Sequence, residues 1–170
     1  MRRILPILAA LAFNVIFLAA VFVATQSLPI EAFRWVTDPV RLANHGNPER
    51  LLLSVQQSMQ LIVSVGITVA ALIALLWQVI LARAKPRDPK EAMFHRTTWL
   101  ILLLVAFILS AVAAWFMIEL RGYFINPKLE ILVSAAIGVA STVVSYWLVG
   151  GLLATSRPFR HCVWLGGRLV

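Results

Sequence analysis

The sequence predicts an all-α integral membrane protein with four transmembrane helices, both termini in the cytoplasm, and a short amphipathic interfacial helix between helices 1 and 2. Composition is the first reason: of 170 residues, 61% are apolar and 13% charged, whereas soluble domains are about half apolar and about a quarter charged. The second reason is that four apolar stretches reach the roughly 20 residues that a helix needs to cross hydrocarbon. Backbone groups in lipid must pair within their own segment, so these spans are helices.

The four helices are predicted at residues 4–25, 48–84, 89–121 and 127–155 of a single membrane domain. The first apolar run, residues 4–24, exceeds the roughly 7–15 residues of a cleavable signal segment, so we expect it to remain as an anchor. Three later helix starts carry Asn or Asp just before Pro. The Asx side chain can cap free N–H groups, and Pro fits the first helical turn. These starts are Asn47-Pro48, Asp88-Pro89 and Asn126-Pro127.

Residues 26–47 form the predicted extracytoplasmic loop. Helix 2 would be roughly 55 Å long, although its membrane part, residues 61–82, needs only about 30 Å, so its first turns project beyond the bilayer. The apolar side chains on those turns need cover. Residues 27–40 supply it in the form of a short amphipathic helix, with Trp35 as interfacial anchor. Its apolar residues recur at helical spacing: Ile30, Phe33, Val36 and Val40.

The distribution of basic residues predicts the orientation. The side that holds both termini carries ten Lys and Arg residues against five on the other side, so the positive-inside rule places the termini in the cytoplasm. Compactness and the absence of eukaryotic targeting signals favour a bacterial inner membrane. The tail, residues 156–170, is basic and amphipathic.

A basic rim on the cytoplasmic face is a predicted contact for anionic lipid headgroups, which attract each basic residue by about 1 kcal/mol. Docking of an acidic protein is the alternative. Nucleic acid is not expected, because the basic residues are few and close to the membrane. The rim comprises Arg83, Lys85, Arg87, Lys90, Arg96, Arg157, Arg160 and Arg168.

Uncharged polar side chains fall within the predicted spans. They either line a hydrated path or form interhelical hydrogen bonds, which contribute about 0.6–2 kcal/mol each. Four of them follow one another at i+4 steps on helix 2 and form a polar band. The full set is Asn14, Gln56, Gln60, Ser64, Thr68, Ser110 and Ser141, and Asn14 is expected to meet Thr68, Ser110 and Ser141 or Thr142 in one layer.

Small residues on helices 3 and 4 predict a close seam, because they let backbones approach where lipid supplies no hydrophobic drive for association. The short connection at residues 122–126 makes the two helices antiparallel neighbours. The seam therefore joins them in a hairpin, or one of its stripes faces another protein chain. Besides Ser110 and Ser141, its residues are Ala106, Ala113, Ser134, Gly138 and Ser145.

Residues that would carry chemistry are sparse. The middle of each span lacks His, Lys, Arg and Asp, so neither haem ligation nor an inward carboxylate–histidine metal site is expected. The single cysteine, Cys162, excludes an intramolecular disulfide. Glu119 and Glu130 are the candidate ionisable groups at the outer end. Glu119, near the outer end of its span, is expected to serve in an interfacial ion pair or in proton or cation handling.

These observations predict a non-catalytic membrane subunit, without cofactor or metal, that assembles with other membrane proteins or with itself in a larger transport, secretion or respiratory complex. The alternative is a homo-oligomeric channel or small transporter lined in part by the polar band of helix 2. A more remote alternative is an enzyme at the outer leaflet that uses Glu119 or Glu130.

Overall fold

A computed structural model describes residues 5–83, 89–121 and 125–148, and these residues are almost entirely helical. The α-helices are α1 (Leu5–Ser27), α2 (Pro39–Asn44), α3 (Pro48–Arg83), α4 (Pro89–Arg121) and α5 (Glu130–Ser141). A π-helical segment, Thr142–Leu148, continues α5. The predicted end of helix 4 at residues 149–155 and the tail at 156–170 lie outside the described residues.

Four helices are long and apolar enough to cross a membrane, as the sequence predicts. Their candidate spans are Leu8–Ser27 in α1, Pro48–Trp77 in α3, Thr97–Leu120 in α4, and Glu130–Trp147 in α5 with its π-helical continuation. The all-helical class is thereby confirmed for the described part of the chain. We call the end that carries residues 28–47 and 125–129 the loop end.

Asx-Pro pairs mark the helix starts at the loop end. The side chain of Asn47 accepts the backbone N–H of Arg50 at 3.1 Å, and α3 begins at Pro48. Asp38-Pro39 is a further pair of this kind, and the Asp38 carboxylate caps α2. The side chain of Asn126 also accepts a backbone N–H, but residues 127–129 form a turn and α5 begins at Glu130, three residues later than predicted.

The segment predicted as one amphipathic helix is broken into two short pieces. A 3-10 helix covers Ile30–Phe33, and α2 begins only at Pro39. Between them Thr37 pairs with Ile125 in an antiparallel bridge. Proline has no N–H to donate and forces the preceding residue into an extended conformation, so a helix cannot run through Pro39. The prediction of a single helix at residues 27–40 is therefore wrong.

The same segment still covers the start of α3. Phe33 and Val36 are buried with Val55 of α3 in one apolar cluster, the loop-end cluster, as the sequence predicts. Val40 points outward instead, 65% exposed, because it lies beyond the break on α2. The remaining members of the cluster come from α3, α4, the turn after α4 and α5: Ile62, Ala114, Ile118, Ile125, Val133 and Ile137.

A second apolar cluster, the aromatic cluster, lies toward the opposite end of the bundle. Trp77, Trp99 and Tyr146 bring one large ring system each from α3, α4 and the π-helical segment, and all three are fully buried. The Tyr146 hydroxyl donates to the Trp99 carbonyl at 2.9 Å, and the two rings are 5.7 Å apart. This bond ties the π-helical segment to α4.

Candidate functional site

Helices α3, α4 and α5 meet along a stripe of small side chains that connects the two apolar clusters and shares residues with both. We call this the small-residue core. Each helix contributes residues at spacings of three or four, which place them on one face. The members are Gly66, Ala70 and Ala74 on α3, Ala106, Ser110 and Ala114 on α4, and Ser134, Gly138 and Ser141 on α5, followed by Ser145 in the π-helical segment; all are buried.

The two glycines lie where the helices approach most closely. A Cβ atom placed on Gly138 would lie 2.8 Å from the Ala111 Cβ and 3.1 Å from the Phe107 carbonyl oxygen. A Cβ atom on Gly66 would lie 2.7 Å from the Ile137 Cγ2 and 3.1 Å from the Ser141 Oγ. Real Cβ atoms do not approach neighbours as closely as 2.8 Å, so both contacts depend on the missing side chain.

Most of the predicted seam residues lie in this core, whereas Ala113 does not. Ala113 is only half-buried, and Ala114 is fully buried. The helix α4 packs through residues that are four apart, Ala106, Ser110 and Ala114. The predicted seam instead takes Ala113, which is three residues after Ser110. The α3 contribution was missed, although Gly66, Ala70 and Ala74 recur at i+4 steps in the sequence.

Three buried hydroxyls in or beside the core have no hydrogen-bond partner: those of Ser110, Thr142 and Ser145. By contrast, the hydroxyls of Ser64 and Thr68 donate to carbonyls of their own helix at 2.7 Å. A buried hydroxyl without a partner costs about 1–3 kcal/mol. The core therefore holds polar groups that its own backbone does not satisfy.

The polar band on α3 passes through different surroundings along the helix. Gln56 and Gln60 are buried, Ser64 is half-buried, and Thr68 is exposed on the surface of the chain. The Gln56 side-chain amide donates to the Thr25 carbonyl at 2.7 Å and so holds the end of α1 against α3. At the end that carries Thr68, the polar band faces away from the bundle.

Asn14 is buried at the middle of α1, but the layer predicted around it is incomplete because Thr68 faces outward. The Asn14 side-chain N–H donates to the Ala10 carbonyl at 2.9 Å within α1. Its Oδ1 atom is buried and has no partner.

The candidate ionisable residues lie at the loop end. Glu119 is exposed near the end of α4, and Glu130 is half-buried at the first position of α5. Among the described residues, no group of three or more His, Cys, Asp or Glu side chains is placed to hold a metal ion. The predicted basic rim falls on the end of α3, the start of α4, the connection between them and the tail, and its side chains lie outside the described part of the chain.

A groove of about 270 Å³ separates α1 from α5, with α3 beneath it. It exists because α1 packs chiefly against α3 and leaves its flank toward α5 uncovered. The groove is apolar apart from one hydroxyl group. Its lining residues are Phe17 and Val21 on α1, Val63 and Ile67 on α3, and Ala136, Ile137, Ala140 and Ser141 on α5.

Comparison of the chain with protein-family models, curated proteins and solved structures found no match.

Proposed function

We propose that the chain is a non-catalytic integral membrane subunit that assembles with other membrane proteins in a larger transport, secretion or respiratory complex. The proposal rests on the kind of side chain that each helix presents on the outside of the bundle. Lipid tails are as apolar as leucine, so helices associate in a membrane through small residues that allow close packing. An outward face rich in small residues therefore suits a helix–helix contact.

Helix α1 presents several small residues among the larger apolar side chains, such as Val15 and Val23, on its outward surface. Five of its alanines are exposed. Only 11% of the residues in its apolar membrane-spanning window are buried, compared with 44% in the corresponding window of α3. Two of them, Ala12 and Ala19, are seven residues apart, on the side opposite the buried Ala10 and Asn14. The exposed alanines are Ala9, Ala12, Ala19, Ala20 and Ala24.

Helix α4 offers the internal comparison. Its exposed apolar side chains are large throughout the part whose side chains are described, residues 97–120, and include Ile108 and Phe116. Large branched and aromatic side chains suit contact with lipid tails. The contrast supports α1 as the partner-facing helix and the outer surface of α4 as the lipid-facing one.

The proposal places the subunit in a bacterial inner membrane with both termini cytoplasmic. The excess of basic residues on the side of the termini supports this orientation. In this orientation the loop end faces the periplasm, and Trp35, 66% exposed, is available to anchor at the interface.

Site-specific photo-crosslinking in the native membrane tests the proposal. A photoreactive residue at Ala12 or Ala19 is expected to give one crosslinked product of defined mass, containing this chain and a fixed partner chain. The same residue at Ile108 or Phe116 is the matched control and is expected to give none. Equal crosslinking from both faces, or purification of a stable 18.9 kDa monomer without partners from crosslinked membranes, would refute the assignment.

A homo-oligomeric channel lined by α3 is the second candidate. The exposed position of Thr68 in the span of α3 favours it, because a polar side chain there could face a shared path between copies. Liposome flux measured with Thr68→Val decides between the two: reduced flux supports the channel, and unchanged flux removes it.

A further inference from the structure

We propose that the groove between α1 and α5 is a binding site for one acyl chain of a membrane phospholipid, held as a resident lipid of the bundle. The inference rests on the four membrane spans and the groove, and it is independent of the proposed partner on α1.

The groove lies at the depth of the membrane spans. The groove residues lie inside three of the four candidate spans: Phe17 and Val21 in α1, Val63 and Ile67 in α3, and Ala140 in α5. At this depth the surroundings are hydrocarbon chains and other transmembrane helices. Water does not fill such a site, because a water molecule is stable in a cavity only where several polar groups form hydrogen bonds with it.

The lining of the groove is almost entirely apolar. Seven of the eight lining residues are apolar, and the exception, Ser141, is buried. The Ser141 Oγ lies close to Gly66 on α3, 3.1 Å from where a Cβ atom there would stand, and so turns toward the helix interface. The occupant therefore meets a surface that offers dispersion contacts rather than hydrogen bonds.

The volume of the groove matches a segment of one hydrocarbon chain. A cavity of about 150 Å³ holds a benzene molecule, so by proportion the 270 Å³ of the groove holds a hydrocarbon segment of about ten carbons. A helix with its side chains is about 10 Å across and rises 5.4 Å per turn, so one turn occupies about 400 Å³. The groove is too small to enclose even one helical turn, and it fits a single flexible chain.

The shape of the groove also favours lateral entry from the bilayer. Ile67 and Ile137 are buried and form its floor, whereas Ala136 and Ala140 are exposed on its wall. Small residues at these two positions keep the groove open. A chain in this place touches α1 and α5 at once and adds contacts that the two helices do not make directly with each other.

Native mass spectrometry of the full chain, released from nanodiscs of palmitoyl-oleoyl phosphatidylcholine, tests the proposal. We expect one phospholipid to be retained per chain, and the mass of the adduct distinguishes an intact phospholipid from a free fatty acid. Ala140→Phe fills the groove and is expected to abolish retention. Val139→Phe adds the same ring at the neighbouring exposed position outside the groove lining, and is expected to leave retention unchanged.

Ala136→Leu is a milder second variant that keeps the test informative if the aromatic variant fails to fold. Loss of the lipid in Ala140→Phe or Ala136→Leu, with retention in Val139→Phe, supports the site. No retained lipid in the parent chain, a free fatty acid as the adduct, or equal retention in all variants overturns it. So does displacement of the lipid by a transmembrane partner segment that crosslinks to Ala140.

The lipid site and the partner-binding face of α1 can be refuted independently of each other. Crosslinking at Ala12 and Ala19 reports the partner, and these residues lie outside the groove lining. A chain that loses its lipid in Ala140→Phe but still crosslinks from Ala12 keeps both proposals. A chain that crosslinks normally but never retains lipid refutes only the groove.

Discussion

Replacing Gly138 by alanine tests directly how tightly α4 and α5 are packed. The added methyl would lie 2.8 Å from the Ala111 Cβ and 3.1 Å from both the Ala111 nitrogen and the Phe107 carbonyl oxygen. Two of these three atoms belong to the backbone of α4, so the helices must separate to admit it. Overpacking of this kind costs about 1–3 kcal/mol. The gain in helix propensity from glycine to alanine, about 1 kcal/mol, offsets part of that cost. We expect a net loss of about 1–2 kcal/mol.

Two other glycines provide graded comparisons. In Gly66→Ala the nearest atom is the Ile137 Cγ2 at 2.7 Å, the end of a side chain that can turn away, so the net change is expected to be smaller. Gly46 has no neighbouring atom within 4 Å and no positive φ angle, so Gly46→Ala is expected to leave stability unchanged or raise it by up to about 1 kcal/mol. The expected order of destabilisation is Gly138, Gly66, Gly46.

Reversible unfolding in mixed micelles, followed by tryptophan fluorescence as denaturing detergent is added, measures all three variants. Adding Ala111→Gly to Gly138→Ala should recover only part of the loss, because the backbone contacts with α4 remain. Equal stability of the Gly138→Ala and Gly46→Ala variants, or complete restoration of stability by Ala111→Gly, would contradict close backbone packing between α4 and α5.

Four further substitutions each remove a single polar group, and the same unfolding assay measures their effects. Gln56→Leu removes the 2.7 Å hydrogen bond that holds the end of α1 and should cost about 1 kcal/mol, whereas Gln57→Leu on the exposed side should cost little; equal effects would contradict the role of the bond. Tyr146→Phe removes the 2.9 Å bond to α4 and should cost about 0.5–1.5 kcal/mol, and an unchanged midpoint would show that the bond contributes nothing net. Ser110→Ala and Ser145→Ala delete hydroxyls without partners and should leave stability unchanged or raise it by about 1 kcal/mol; a clear loss would reveal a bound water or ligand instead.

The loop end shows which structural features can be predicted from residues that are close together in the sequence. Asn47 before Pro48 marks the start of α3 because a cap and a proline act within one turn, and such contacts can be recognised from neighbouring residues. The apolar spacing of Phe33 and Val36 likewise identifies which side chains are buried. This spacing does not show that Pro39 interrupts the helix. The effect of a proline on a helix can, however, be predicted from the sequence.

The position of Thr37 could not be predicted from its neighbours in the sequence. Its bridge to Ile125 joins segments almost ninety residues apart, and the Asn126 N–H donates to the Val36 carbonyl beside it at 2.8 Å. Sequence spacing predicts periodicity within one segment, but a pairing between distant segments depends on how the helices between them pack.

The sequence by itself determined the helical class and the four spans, because a bilayer requires long apolar segments with internally paired backbones, and composition records both. It also identified most of the small residues between α4 and α5. Only the tertiary structure decided that Gly66 brings α3 into the same core, that Ala114 replaces Ala113, and that Thr68 faces outward. It alone revealed the groove beside α1. In lipid, hydrophobicity does not distinguish one apolar helix face from another, so close packing sets the rotation of each helix.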